Sequence, residues 1–71
     1  MKIKEVTNNI KDLRYKKDNM SQQLLSDKVG CSRQTINALE KNRYSPSLVL
    51  VKKIATIFNV SIEDVIQVTL K

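Results

Sequence analysis

The stretch VGCSRQTINALEK, Val29 to Lys41, holds the one glycine of a 71-residue chain, and two positions later a serine opens a run containing Arg33, Gln34 and Asn37. Glycine adopts backbone conformations that other residues resist, and serine is a strong N-cap. Gly30 and Ser32 therefore read as the end of one helix and the start of the next. On a helix from Ser32 through Glu40, Ile36 and Leu39 face inward at i and i+3. Ser21 gives the same signal for a preceding helix, Gln22 to about Lys28, with Leu25 inward and Val29 just after it. Two short helices joined by a glycine turn make a helix-turn-helix and, equally, an ordinary αα-hairpin in a small bundle. Either way, Gly30 is expected where the chain reverses with no room for a Cβ.

Working outward, Val6, Ile10 and Leu13 recur at helical spacing and predict a first helix from about Thr7 or Asn8 to about Lys17, broken by Asp18 and Asn19. Asn42 is the expected left-handed stop of the third helix. Ser45-Pro46-Ser47 opens a fourth, with Pro46 in its first turn and Leu48, Val51, Ile54, Ala55 and Phe58 as its core stripe; Asn59 ends it. Ser61 caps a short fifth helix whose first turn carries Glu63 and Asp64, matching the helix dipole. Beyond Ile66 the pattern alternates, so residues 67–71 read as a short strand and Lys2 to Glu5 as a weaker candidate.

The length allows one domain, 1–71, with its helix-turn-helix core at about 21–40. With a single cysteine, Cys31, and no histidine, the chain offers neither an internal disulfide nor a Cys/His metal site. No cofactor or metal is expected. The N-terminal stretch lacks a run of signal-peptide length, and the longest apolar stretch, Leu48 to Val51, is far short of a membrane span. The expectation is a soluble, cytoplasmic protein without a membrane partner. Thirteen Lys and Arg against seven Asp and Glu give a net charge of +6, which favours a polyanionic partner through counterion release and electrostatic steering.

If Ile36 and Leu39 are buried, Arg33, Gln34 and Asn37 lie outward near the N-terminal end of the third helix, the end that recognition helices insert into the major groove. Arginine pairs bidentately with guanine, and glutamine or asparagine with adenine. A solvated polar face contains the same residue types. Composition alone leaves both readings standing.

The segment MSQQLLSDKVGCSRQTI, Met20 to Ile36, continuing NALEKNRYSPSL and closing VSIEDVI, resembles the Cro/CI-type (XRE-like) helix-turn-helix regulators of bacteria, archaea and phages. The similarity spans about residues 9 to 66. It implies a mainly α fold, a five-helix lambda-repressor-like DNA-binding domain, with a small β-sheet from the N- and C-terminal ends as in the compact dimeric members. It also implies double-stranded DNA as partner, with Arg33, Gln34 and Asn37 at base-facing positions. Gln22 matches the family glutamine that holds a phosphate and braces the recognition helix. Ser32 and Thr35 match positions that cap that helix or touch the DNA backbone, and Lys41, Asn42, Arg43 and Tyr44 match the loop that lies along a phosphate strand. Packing is the better reading for Tyr44. Arg14 and Glu40 resemble the family's internal ion pair, and Cys31 stands where relatives carry a small apolar residue.

Relatives commonly have glycine where Asn42 stands and an acid where Leu24 stands, and the turn Lys17-Asp18-Asn19 is one residue longer here. The apolar residues Val49, Leu50, Ile57, Val65, Val68 and Leu70 fall outside the core set and predict a homodimer formed mainly by the C-terminal half, the alternative being that the chain-end strands fold over them within one monomer. The expected function is a sequence-specific transcriptional regulator, a repressor on a palindromic operator. The alternative is an antitoxin or restriction-system controller whose main contact is a partner protein. An enzyme is not expected, for the chain shows no histidine, metal cluster or glycine-rich phosphate loop. Nor is a small-molecule ligand, since no domain is left to sense one.

Overall fold

Serine side chains start four of the five helices. The computed structural model describes residues 3–43 and 45–70. Lys2, Tyr44 and Lys71 lie outside the described residues, as does the side chain of Leu70. The elements in chain order are β1 (Ile3–Asn8), α1 (Ile10–Lys16), α2 (Gln22–Val29), α3 (Arg33–Glu40), α4 (Leu48–Phe58), α5 (Ile62–Val65) and β2 (Ile66–Leu70). Ser21, Ser32, Ser47 and Ser61 are extended and accept hydrogen bonds from the amides of Leu24, Thr35, Leu50 and Asp64. Each such cap stabilises its helix by about 1 kcal/mol. At α5 the Asp64 carboxylate accepts in return from the Ser61 amide, completing a capping box.

The helix stops follow from backbone handedness. Gly30, Asn42 and Asn59 have φ of 79°, 56° and 55°. Just beyond them the amides of Cys31, Arg43 and Val60 reach back to the carbonyls of Ser26, Ala38 and Ala55 at 3.1, 2.9 and 3.0 Å. This satisfies carbonyls that a helix end would otherwise leave orphaned. Asp18 and Asn19 are also left-handed and end the α1 turn. At Gly30 the expected crowding is absent, since a Cβ there would meet nothing within 4 Å. The positive φ is what calls for glycine.

The chain ends form a two-stranded antiparallel sheet, with Val6 opposite Val68, Thr7 opposite Gln67 and Asn8 opposite Ile66. β1 is longer than the candidate strand at residues 2–5, and it absorbs Val6, Thr7 and Asn8, which the spacing placed near or in the first helix. The Asn8 side chain sets that boundary. Its Oδ1 accepts from the Ile10 amide at 3.2 Å, a local turn that starts α1 at Ile10. The same residue's Nδ2 donates to the Leu39 carbonyl at 2.7 Å and to Asn42 Oδ1 at 2.9 Å, so the end of β1 caps the C-terminus of α3.

All five helices enclose one core. Ile10, Leu25, Ile36, Leu39, Ile54 and Val65 are almost fully buried, joined by Met20, Val29, Val51, Ala55 and Phe58. Burying a side chain of this size is worth about 1.5–3 kcal/mol. Two expectations fail here. Leu48 is 72% exposed rather than part of the α4 core stripe, because it is the first residue of the helix and burial begins one turn later at Val51. Val65 is 1% exposed, so it packs within the subunit and leaves no surface for a dimer partner. Pro46, expected inside the first turn of α4, precedes the Ser47 cap.

Candidate nucleic-acid interface

With Ile36 and Leu39 anchored in the core, α3 turns Arg33 and Gln34 into solvent in its first turn, while Asn37 is half-buried one turn later. Ser32 and Thr35 are occupied locally: the Ser32 hydroxyl accepts from the Thr35 amide at 3.1 Å, and the two hydroxyls lie 2.9 Å apart. Both therefore serve the helix start directly.

Behind this face lies a buried ion pair. Arg14 Nε and Nη2 donate to the two Glu40 oxygens at 2.6 and 2.9 Å, and Arg14 Nη1 donates to the Met20 carbonyl at 2.7 Å. The two side chains are only 7% and 5% exposed. The hydrogen bond to Glu40 pushes the Arg14 pKa above its ordinary value even though burial opposes it, so the guanidinium stays charged at every accessible pH. Gln22, first residue of α2, then donates through Nε2 to Glu40 Oε1 at 3.1 Å and to Asn37 Oδ1 at 3.2 Å. Residues from α1, α2 and α3 thus converge on one polar chain, Arg14 to Glu40 to Gln22 to Asn37.

Its mouth is a groove of about 560 Å³ lined among others by Lys11, Tyr15, Gln22, Arg33, Asn37 and Lys41. Glu40 is neutralised by Arg14, so the cations of Lys11, Arg33 and Lys41 set the sign of the field there. Lys41 and Arg43 follow α3 into solvent, and among the described residues neither is ion-paired. Asn42 faces the sheet instead, accepting from Asn8. Sequence reasoning missed Lys11 and Tyr15, which α1 brings to the groove. Tyr15 lies under two cations, with Lys11 Nζ 5.8 Å and the Arg14 guanidinium 5.3 Å from its ring centroid. The spacing of Lys11 and Tyr15 at i and i+4 was a usable sign that the two share a face.

Leu50 and Ile57 are half-buried against the core. Val68 is half-exposed on the sheet, and Leu24 is also exposed. Cys31 is partly buried, and that burial raises its thiol pKa, with Lys53 offsetting part of the effect. A raised pKa disfavours the reactive thiolate.

A profile described as helix-turn-helix matches residues 10–65. An uncharacterized HTH-type transcriptional regulator of Archaeoglobus fulgidus is 52% identical over 56 residues, which cover 79% of this chain and 78% of that one. The uncharacterized HTH-type transcriptional regulator YgzD of Bacillus subtilis is 45% identical over 58 residues, covering 82% and 86%. The crystal structure of a Bacteroides fragilis protein designated a candidate DNA-binding protein matches with a TM-score of 0.76 at 27% identity, over 89% of this chain and 100% of that one. These matches span the same helices that carry the polar chain and the exposed arginine, and the chain belongs to the helix-turn-helix family of the Cro/CI (XRE-like) type.

Proposed function

We propose that this protein is a sequence-specific DNA-binding transcriptional regulator, a repressor that binds a palindromic operator as a homodimer with α3 in the major groove. The observation that carries the reading is the first turn of α3: Arg33 and Gln34 stand free in solvent on a helix locked from behind by Ile36, Leu39 and the Arg14–Glu40 pair. Side chains that discriminate bases need a rigid mount of that kind. Lys41 and Arg43 supply phosphate charge on the flank, and backbone charge contacts provide most of the affinity.

The dimer is supported by half-exposed Val68, opposite half-buried Val6 in the sheet, and by Leu50 and Ile57. Val65 is not part of it. Sedimentation equilibrium at micromolar protein tests the assembly, and a strictly monomeric species removes it from the proposal. Selecting bound duplexes from a random pool and footprinting the winners tests the recognition. Two half-sites about one helical turn apart are expected. If Arg33→Ala and Gln34→Ala leave the preference for the selected operator over a scrambled duplex intact, α3 is not the reading head. Transcription in vitro from a promoter overlapping the operator separates repression from activation.

A reading with a partner protein as the main contact is favoured by one observation, the exposure of Leu48 and Val49 at 72% and 65% where α4 begins. An adjacent toxin or methyltransferase gene would support it.

A further inference from the structure

The hydrogen bonds around Gln22 fix more than the position of α3. We infer that the Arg14–Glu40 pair, acting through Gln22, sets the polarity of the base-reading amide, so that Asn37 meets the major groove as a hydrogen-bond donor and selects guanine over adenine. This rests on the proposed entry of α3 into the groove.

The argument is a proton count. A carboxylate only accepts hydrogen bonds, and Glu40 Oε1 is 3.1 Å from one terminal atom of Gln22, so that atom must be the amide nitrogen. The same nitrogen lies 3.2 Å from a terminal atom of Asn37, which must then be an acceptor, Oδ1. Orientation of asparagine and glutamine amides is assigned from such networks, and here the chain of partners begins at a group with no alternative. Arg14 holds Glu40 in place with two donors, so the reference point does not rotate away. What remains to Asn37 is Nδ2, which has no side-chain or backbone partner among the described residues, and Asn37 lines the basic groove.

Two consequences follow for recognition. Guanine shows two acceptors in the major groove, thymine one, adenine an acceptor beside a donor, and cytosine a donor. Reading adenine with both amide atoms requires the Asn37 carbonyl to face the base, and the hydrogen bond from Gln22 turns that oxygen toward α2 instead. The second consequence departs from the family pattern. Both Nε2 hydrogens of Gln22 are used inside the protein, leaving its side chain nothing to donate to a phosphate. Gln22 and Glu40 are positioning residues for Asn37.

The test uses the full-length protein and duplexes carrying each of the four bases at every half-site position. Asn37→Ala should flatten preference at one position, which identifies where Asn37 reads. There the unmodified protein should favour guanine over adenine by about tenfold. Gln22→Met keeps the side-chain length but removes the donor. It should let adenine gain about tenfold on guanine at that position alone, with other positions and the salt slope unmoved. Because a variant can misfold, a second arm changes only the DNA. Replacing adenine at that position by purine, which lacks the amino group on C6, should not weaken binding to the unmodified protein. Preference for adenine, lost with the amino group, overturns the inference. So does a Gln22→Met variant that weakens all four duplexes equally, because Gln22 would then be a backbone contact. If Asn37→Ala, Arg33→Ala and Gln34→Ala all leave base preference untouched, the groove assignment of α3 falls and this inference with it.

Discussion

α3 and α4 begin and end alike, with a serine cap and a left-handed asparagine, Ser32 and Asn42 for one and Ser47 and Asn59 for the other. Their sides are held differently. α4 is held by an apolar stripe, Val51, Ile54, Ala55 and Phe58. α3 buries only Ile36 and Leu39, and it is tied at other points by Glu40 to Arg14, by Asn37 to Gln22 and by the Leu39 carbonyl to Asn8. Apolar burial is non-directional and fixes how close two elements lie. Hydrogen bonds have angles, and they fix which way a side chain faces. The polar ties lie on the helix whose outward side chains the proposed function aims at the bases.

The largest effect expected from this contrast is at the ion pair. Glu40→Ala leaves the Arg14 guanidinium buried without its counter-charge and should cost about 3–5 kcal/mol in urea unfolding. Ile54→Ala, in the apolar stripe, should cost about 2–5 kcal/mol by transfer and cavity terms. The comparison becomes sharper with the double variant Arg14→Met, Glu40→Leu. Replacing both charges by apolar groups of similar size should recover most of the stability while base selectivity stays impaired. Stability that remains as low as in Glu40→Ala would show that the pair holds the fold rather than aims a side chain.

Next come the outward faces. Arg33→Ala should cost about 1–3 kcal/mol of discrimination at one position in each half-site, measured as the ratio of affinities for operator and single-base variants. Val49→Ala, also exposed but on α4, should leave that ratio unchanged. Lys41→Ala and Arg43→Ala should weaken specific and scrambled duplexes alike, reducing the salt slope by about one per lost charge contact in each subunit. A change in operator preference in either variant would assign that residue to base reading.

The caps give a smaller, matched pair. Ser32→Ala and Ser47→Ala each remove one side-chain acceptor and should lower stability by about 1 kcal/mol, and only the first should also weaken operator binding. Equal effects on DNA affinity would mean that cap loss acts through global stability.

How much of this was legible in the sequence depends on whether a signal is local. The serine caps, the asparagine stops and the Ile36–Leu39 pair act within a turn or two of themselves, and the helix boundaries of α2 and α3 followed from them to within a residue, while the start of α4 fell two residues late of the expected one. Val6 misled because its spacing to Ile10 and Leu13 satisfies a helical period by coincidence, while pairing with Val68 across the whole chain decides its conformation. Leu48 misled because a stripe drawn by period has no ends, whereas the core does. Val65 looked spare in sequence, but α5 turns it inward. The orientation of Asn37 was beyond sequence reading altogether. It needs residues 14, 22, 37 and 40 to converge in space, and where the resemblance suggested a phosphate role for Gln22, its amide here donates to Glu40 and Asn37.

The smallest effect expected is at the seam between the two regions, where Cys31 follows Gly30, packs partly against the core and feels Lys53 of α4. Burial raises the thiol pKa in the folded protein above its ordinary value of 9.0, and the lysine offsets only part of that. The neutral form is therefore the one the fold prefers. Below the unfolded pKa both states are protonated and the thiol adds no pH dependence. As pH rises past about 9 the unfolded chain loses its proton first, so stability falls until the folded thiol also ionises. Comparison with Cys31→Ala cancels the contribution of every other group to the pH dependence. The difference between the two proteins' urea midpoints should be constant near neutral pH and shrink toward pH 10, the unmodified chain losing more. A difference that grows in its favour would mean that the Lys53 charge outweighs burial. That would make the seam electrostatic, like α3, rather than apolar, like α4.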